Sequence, residues 1–177
     1  MAASTTRETP GNIAVWILIY AELTEFALFF LAFLIARVHY PEAFSEGPLR
    51  LNTLAGMLNT LVLISSSFFV ARAIHAIKAG LRRTCIGWLW LTLAAGATYC
   101  GIKGWEYYWN EAADITTRST TFYAFYYYLT FNHLLHVGWA SGTILWAIHR
   151  VNQGFYTADS HAGMTAIACY WHMIDLA

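Results

Sequence analysis

From about residue 12 the chain alternates long apolar runs with short polar breaks. The runs cover about 12–38, 51–77, 84–103, 120–148 and 162–177. Each of the first four reaches the roughly 20 residues that cross ~30 Å of hydrocarbon as a helix. The breaks carry turn and loop chemistry: HYPEAFSEGPLR has both Pro and Gly, KAGLRR is short and basic, NEAADITTR and HRVNQGFYTADS are polar. The fifth run would rise only about 24 Å at 1.5 Å per residue and stops on WHMIDLA without a polar tail. We expect it to be cut off before its natural end. The polar opening MAASTTRETPG precedes a run too long for a signal-peptide core, so that run reads as a retained span. The pattern predicts an all-α fold, a polytopic membrane bundle of five transmembrane helices forming a single domain over 1–177.

Composition strengthens the membrane reading. Of 177 residues, 58% are hydrophobic and 11% charged, against about a quarter charged in an ordinary soluble domain. Net charge is +0 and no basic block is present, so nucleic acid is not an expected partner. Cys85, Cys100 and Cys169 are scattered among apolar residues without metal spacing and read as small packing groups. With the N-terminus inside, Arg7, Arg72, Lys78, Arg82, Arg83 and Arg150 fall on the inner side. Arg37, Arg50, Lys103 and Arg118 then fall outside. The tight basic turn RAIHAIKAGLRR decides for N-inside, because short basic loops stay cytoplasmic.

The informative residues are the polar ones inside the apolar runs, since ionisable groups at membrane depth are costly and retained for a reason. Glu22 and Glu25 share a face of the first run. They are expected to be protonated or paired. Asn59, Thr60 and Ser65 to Ser67 in the second run suit bonding across helices or back to their own backbone. Glu106 sits near the end of the third helix, three residues after Lys103, with which it can form a local pair; it reads either as an interface anchor with a satisfied carboxylate or as a bundle-facing group that meets a histidine. His133 and His136 lie on one face of the fourth run, beside Tyr126, Thr130 and Asn132. His172 and Asp175 are spaced to hydrogen-bond on the fifth. Gly138, Ala140, Ser141 and Gly142 form a small-residue patch suited to close approach of a partner.

No catalytic, cofactor-binding or metal set is expected. A di-iron bundle uses Glu-x-x-His on two helices, and here the pair is His-x-x-His with no carboxylate between. There is no phosphate loop or serine nucleophile motif. A stand-alone di-metal membrane enzyme and a small proton-coupled transporter are the alternatives from other classes. Bound iron would favour the first, and substrate uptake in vesicles the second. Against the transporter, no inverted repeat is visible.

AELTEFALFFLAF, MLNTLVLISSS, GWEYY, FNHLLHVGWASG and CYWHMID occur in order and with fitting spacing. Together they resemble subunit III of the haem-copper oxidases, in the short five-helix form that includes proteins encoded beside nitric oxide reductases. On that resemblance Glu22 falls on the family's glutamate, Asn59 and Thr60 on its Asn-Thr helix, and Glu106 and Tyr107 on its Glu-Tyr pair. His133 and His136 fall on its histidine helix, and Trp171, His172 and Asp175 on its final signature. Departures are the lack of two preceding helices that form a lipid cleft, Thr165 where the family commonly has glutamate, and Leu134 and Leu135 between the histidines. The resemblance implies a non-catalytic accessory subunit of a terminal oxidase or nitric oxide reductase in a bacterial inner membrane. It implies no cofactor on this chain, haem and possibly copper on the partner subunit, and a place for phospholipid. It also implies a role for the glutamate in proton uptake, with Glu22, Glu25, Asn59, Glu106, His133, His136, His172 and Asp175 forming the intramembrane polar network.

Overall fold

The computed structural model describes residues 13–176. The elements are α1 (Ile13–His39), α2 (Pro41–Glu46), a 3-10 turn (Gly47–Arg50), α3 (Thr53–Lys78), α4 (Arg82–Ala112), α5 (Thr121–Asn152) and α6 (Ala162–Leu176). No strand occurs among the described residues. Arg7, the start of the first run at Asn12 and the last residue, Ala177, lie outside them. By length and composition α1, α3 and α4 can each cross a membrane. At 32 residues α5 is longer than any of them, but its tyrosines, asparagine and histidines dilute its hydropathy. Fifteen residues are described for α6.

Local chemistry sets the helix ends. The Asn52 side chain caps α3 by accepting from Leu54 N and Ala55 N at 3.1 and 3.2 Å. Thr120 caps α5 by accepting from Tyr123 N. Gly80 (φ 74°) and Gly154 (φ 75°) take the left-handed conformation just past α3 and α5. In both places the paired return bonds of a Schellman stop follow: Gly80 N to Ile77 O with Leu81 N to Ala76 O, and Gly154 N to Val151 O with Phe155 N to Arg150 O. A third stop of this kind ends α4, with Asp114 (φ 59°) in the left-handed place and Ile115 N bonded to Asn110 O at 2.9 Å.

That third stop corrects the expected end of the third run near Lys103. Nothing at Lys103-Gly104 breaks the helix, which continues to Ala112. Lys103 is consequently no loop charge: it is 6% exposed within α4, and it leaves the outer side of the charge count. The stretch after α1 is a second correction. Pro and Gly there start short helical turns, with Pro41 at the first position of α2, where its missing N–H costs nothing.

The most extensive packing is between α3 and α4; α5 packs on α4, and α6 on both α3 and α5. Side chains at these contacts are small or closely fitted: Ala73, Cys85, Thr92, Ala140, Ile144 and Ala147 are fully buried. Small residues let backbones approach where lipid supplies no hydrophobic drive for helix association. The patch at 138–142 is split by this packing. Ala140 is buried in the bundle, and Ser141 lies against Gly96, whereas nothing stands within 4 Å of a Cβ at Gly138 or Gly142. Peripheral α1 buries only Ile19, Phe26 and Ala36, and its outer face is a column of exposed Leu, Ile and Phe.

One close approach is sharply testable. A methyl on Gly47 would run into the ring of Phe122, whose Cγ would stand 2.7 Å away, and Phe122 is already packed edge-on to Phe44. Gly47→Ala is expected to cost about 1–3 kcal/mol by overpacking. Gly56→Ala meets nothing within 4 Å and should be near neutral. Paired thermal unfolding curves in detergent check the difference.

Candidate functional site

The polar residues gather into three interhelical clusters. In the first, α1 meets α5. His136 Nε2 lies 2.5 Å from Glu22 Oε2, with both side chains largely buried. His136 Nδ1 stands 2.7 Å from the Asn132 carbonyl, which can only accept, so this nitrogen carries a hydrogen. A neutral imidazole of that tautomer has only a lone pair at Nε2, and an ionised carboxylate has only lone pairs. The two groups stand within ion-pair distance, and Glu22 Oε2 makes no hydrogen bond of regular geometry to a described residue. The Asn132 side chain turns the other way and donates to Glu25 Oε1 at 2.9 Å. One residue of α5 thereby fixes both the imidazole and the second carboxylate. Tyr170 of α6, whose buried hydroxyl has no hydrogen-bond partner among the described residues, stands beside Glu22.

The ligand atoms of Glu22, Glu25 and His136 all lie within 4.8 Å of one another. Sequence reading assigned no metal here, whereas the structure brings together three groups that could hold an ion. Two ligands of one tetrahedral zinc-like ion, each ~2.0–2.1 Å from it, stand about 3.3 Å apart. The Glu22–His136 contact, at 2.5 Å, is shorter than that spacing. His133 belongs to a different environment, edge-on to Phe26 (6.1 Å) and to Tyr99 (5.4 Å).

The second cluster joins α4 and α5. Lys103 Nζ donates to Glu106 Oε2 at 3.0 Å and to the Tyr126 hydroxyl at 3.0 Å. Tyr126 in turn donates to Glu106 Oε1. The three groups close a ring, with the ammonium 4.8 Å from the Tyr126 ring centre as well. Glu106 is 3% exposed. The local pair with Lys103 and the bundle-facing position are as expected, whereas the expected histidine partner is replaced by Tyr126. The carboxylate is internal because α4 extends past it, and tyrosine and lysine fill its acceptor sites. Beside this ring, Tyr107 bonds Thr130 at 2.7 Å.

The third cluster joins α3 and α6. Asp175 Oδ2 accepts from Ser67 at 2.6 Å and from Ser66 at 3.1 Å. His172 Nδ1 bonds Ser67 Oγ at 2.9 Å, and Trp171 Nε1 donates to Ser66 Oγ at 2.9 Å. The direct His172–Asp175 bond expected from spacing is replaced by a bridge through Ser67. Thr60 and Ser65 bond back to their own helix instead. Asn59 is buried, and its Oδ1 has no partner among the described residues.

Sequence reading names Ser67 and Asn132 as polar groups but does not give their partners, and it places Lys103 outside the bundle. The signals were present as a serine run in an apolar helix, an amide one turn before a histidine, and a Lys/Glu pair one turn apart. Each acquires its partner across more than 100 residues or through a boundary set elsewhere.

Fold and clusters define a class: a membrane protein whose apolar helices carry their ionisable groups in paired, interhelical clusters. Comparison with known proteins names the family. The cytochrome c oxidase subunit III family model matches residues 6–177. The chain belongs to that family, subunit III of the haem-copper oxidases. Cytochrome c oxidase subunit 3 of Thermostichus vulcanus is 31% identical over 179 residues, covering 99% of this chain and 87% of that protein. The Synechocystis protein of the same name is 34% identical over 167 residues, covering 92% and 69%. That of Branchiostoma lanceolatum is 34% identical over 120 residues, covering 68% of this chain. The match spans 45% of the Branchiostoma protein, less than half its length.

Proposed function

We propose that this chain is a non-catalytic accessory subunit of a haem-copper respiratory complex. In this reading it crosses a bacterial inner membrane five times with the N-terminus inside. It flanks a catalytic subunit that carries the haem and, in an oxidase, the copper. Whether the complex reduces oxygen or nitric oxide is decided by that partner. Phospholipid occupies the outer faces. Family membership supports the assembly role, as do the exposed apolar column of α1 and the placement of every strongly buried charge in a pair.

The observation that carries a proton role is the Glu22–His136 contact at 2.5 Å. A pair that holds a proton between two lone pairs can take it up and release it with little rearrangement. Asn132 keeps His136 in the tautomer that presents Nε2 to Glu22, and it holds Glu25 ready beside them. Glu25 is half-buried on α1, and in this reading it links the pair to whatever covers that face. A protonated carboxylate at this depth avoids the cost of an unpaired charge.

The test is Glu22→Gln in the assembled complex. Glutamine keeps the shape and can still donate to His136 Nε2, but cannot exchange the proton. Turnover is expected to fall several-fold while the subunit still co-purifies. Unchanged turnover in an intact complex would sink the proton role. Native mass spectrometry of the complex in mild detergent, with a haem spectrum and metal count, tests the assembly role separately. A haem-bearing partner at fixed stoichiometry is expected, and a chain that purifies alone with bound iron would overturn that reading.

A further inference from the structure

Between α1, α3, α4 and α5 lies a cavity of about 300 Å³. The cavity is half open; the exposed Phe30, with Phe26 and Leu129, supplies apolar lining, and Asn59, Tyr99, Thr130 and His133 supply polar lining. None of Asn59, Tyr99 and His133 completes its hydrogen bonds among the described residues. Asn59 is 5% exposed, and its buried Oδ1 meets no donor among the described residues. Neither the Tyr99 hydroxyl nor a ring nitrogen of His133 hydrogen-bonds a described residue, and both rings are held edge to face rather than by polar contacts. An acceptor, a hydroxyl and an imidazole left open around one space form a built polar site, since buried polar groups in proteins are paired with protein or with ordered water.

The chemistry of the walls selects the ligand. Lys103 also lines the cavity, but its charge is met by Glu106 and Tyr126. An anion would find no uncompensated cation there, and an alkyl chain would leave Asn59 Oδ1 unpaired where hydrocarbon offers no substitute. The ligand must be neutral, must donate to Asn59, and must accept from Tyr99 or His133. Water does all three. Its share of liquid volume is about 30 Å³, and it needs two to four polar partners, so the space accommodates several molecules.

We propose that this cavity is a hydrated chamber in which Asn59, Tyr99 and His133 hold water between the Lys103–Glu106–Tyr126 ring and the His136–Glu22 pair. His133 lies one helical turn from His136, so water here would reach from one charged cluster to the neighbourhood of the other. The inference concerns hydration alone and holds whether or not the pair moves protons.

Radiolytic hydroxyl-radical footprinting of the purified complex, read by mass spectrometry, tests it, because the radicals form from water and label side chains next to it. Phe26, Tyr99 and Leu129 are expected to be oxidised several-fold more than Phe131 and Leu135 on the apolar exterior. Asn59→Leu should bring Tyr99 and Leu129 down to that background while labelling of the loop at 153–161 stays constant. If that variant does not assemble, His133→Phe makes the same test from α5. Wild-type Tyr99 and Leu129 labelled no more than Phe131 and Leu135 would overturn the chamber. Labelling that persists unchanged in the assembled variant would overturn the assignment of its water to these residues.

Discussion

Replacing Glu106 with alanine is expected to destabilise the chain by about 3–5 kcal/mol, the cost of leaving one partner of a buried ion pair uncompensated. Glu106 is 3% exposed and Lys103 6%. Without the carboxylate, the ammonium keeps a single hydrogen-bond acceptor, the Tyr126 hydroxyl, whose own proton has lost its acceptor. Lys103→Met combined with Glu106→Leu should be far milder than either charge removed alone. It deletes both desolvation penalties and keeps apolar bulk, and replacing such pairs by well-packed apolar groups is often neutral. A double-mutant cycle on thermal or denaturant unfolding in detergent measures the difference. A Glu106→Ala protein as stable as the parent would mean that the pair is solvated, and its structural role would fall.

The second large effect is expected at Trp171. Its side chain is 2% exposed, its Nε1 holds Ser66, and its ring edge would stand 3.1 Å from a Cβ placed on Gly96. Trp171→Ala therefore removes a packed ring and a hydrogen bond at once. Large-to-small changes of this kind cost about 3–5 kcal/mol in soluble cores. In a bilayer the transfer component is weaker because lipid is itself apolar, so the lower end, about 3 kcal/mol, is expected. The loss should spread to the α3–α6 contact, because Ser66 and Ser67 together cradle Asp175. Trp171→Phe should recover the packing but not the bond to Ser66. Unfolding midpoints separate these contributions: the gap between Trp171→Phe and Trp171→Ala reports the packing, and a Trp171→Phe midpoint equal to the parent's would show that the indole N–H contributes nothing.

These two sites illustrate different degrees of legibility. Trp171 sat in a recognisable stretch, and its neighbours His172 and Asp175 were singled out for their spacing. What spacing does not reveal is Ser67, which enters from α3 and bridges them. Glu106 was legible as a carboxylate in an aromatic setting. Its environment was not, because the end of α4 depends on Asp114 adopting a left-handed conformation, which aspartate tolerates but does not announce. Shifting that boundary by nine residues carries Lys103 and Glu106 from an interface into the bundle.

The sequence by itself determined the helical class, the position of most helices to within a few residues, the membrane setting and the family. Apolar run length, turn chemistry and ordered motifs are local properties, and they survive without knowledge of packing. It also determined which residues carry chemistry, because an ionisable side chain in an apolar run is conspicuous wherever it ends up. Only the tertiary structure decided who meets whom. Glu22 takes His136 rather than His133; Phe26 packs on both rings, and Tyr99 of α4 stands edge-on to His133. Glu106 takes Lys103 and Tyr126, and Asp175 takes two serines. Hydrogen bonds and ion pairs act over about 3 Å, whereas sequence spacing constrains position only within a helix. Across helices, partners follow from the rotation and crossing of whole elements, which the packed bundle sets collectively.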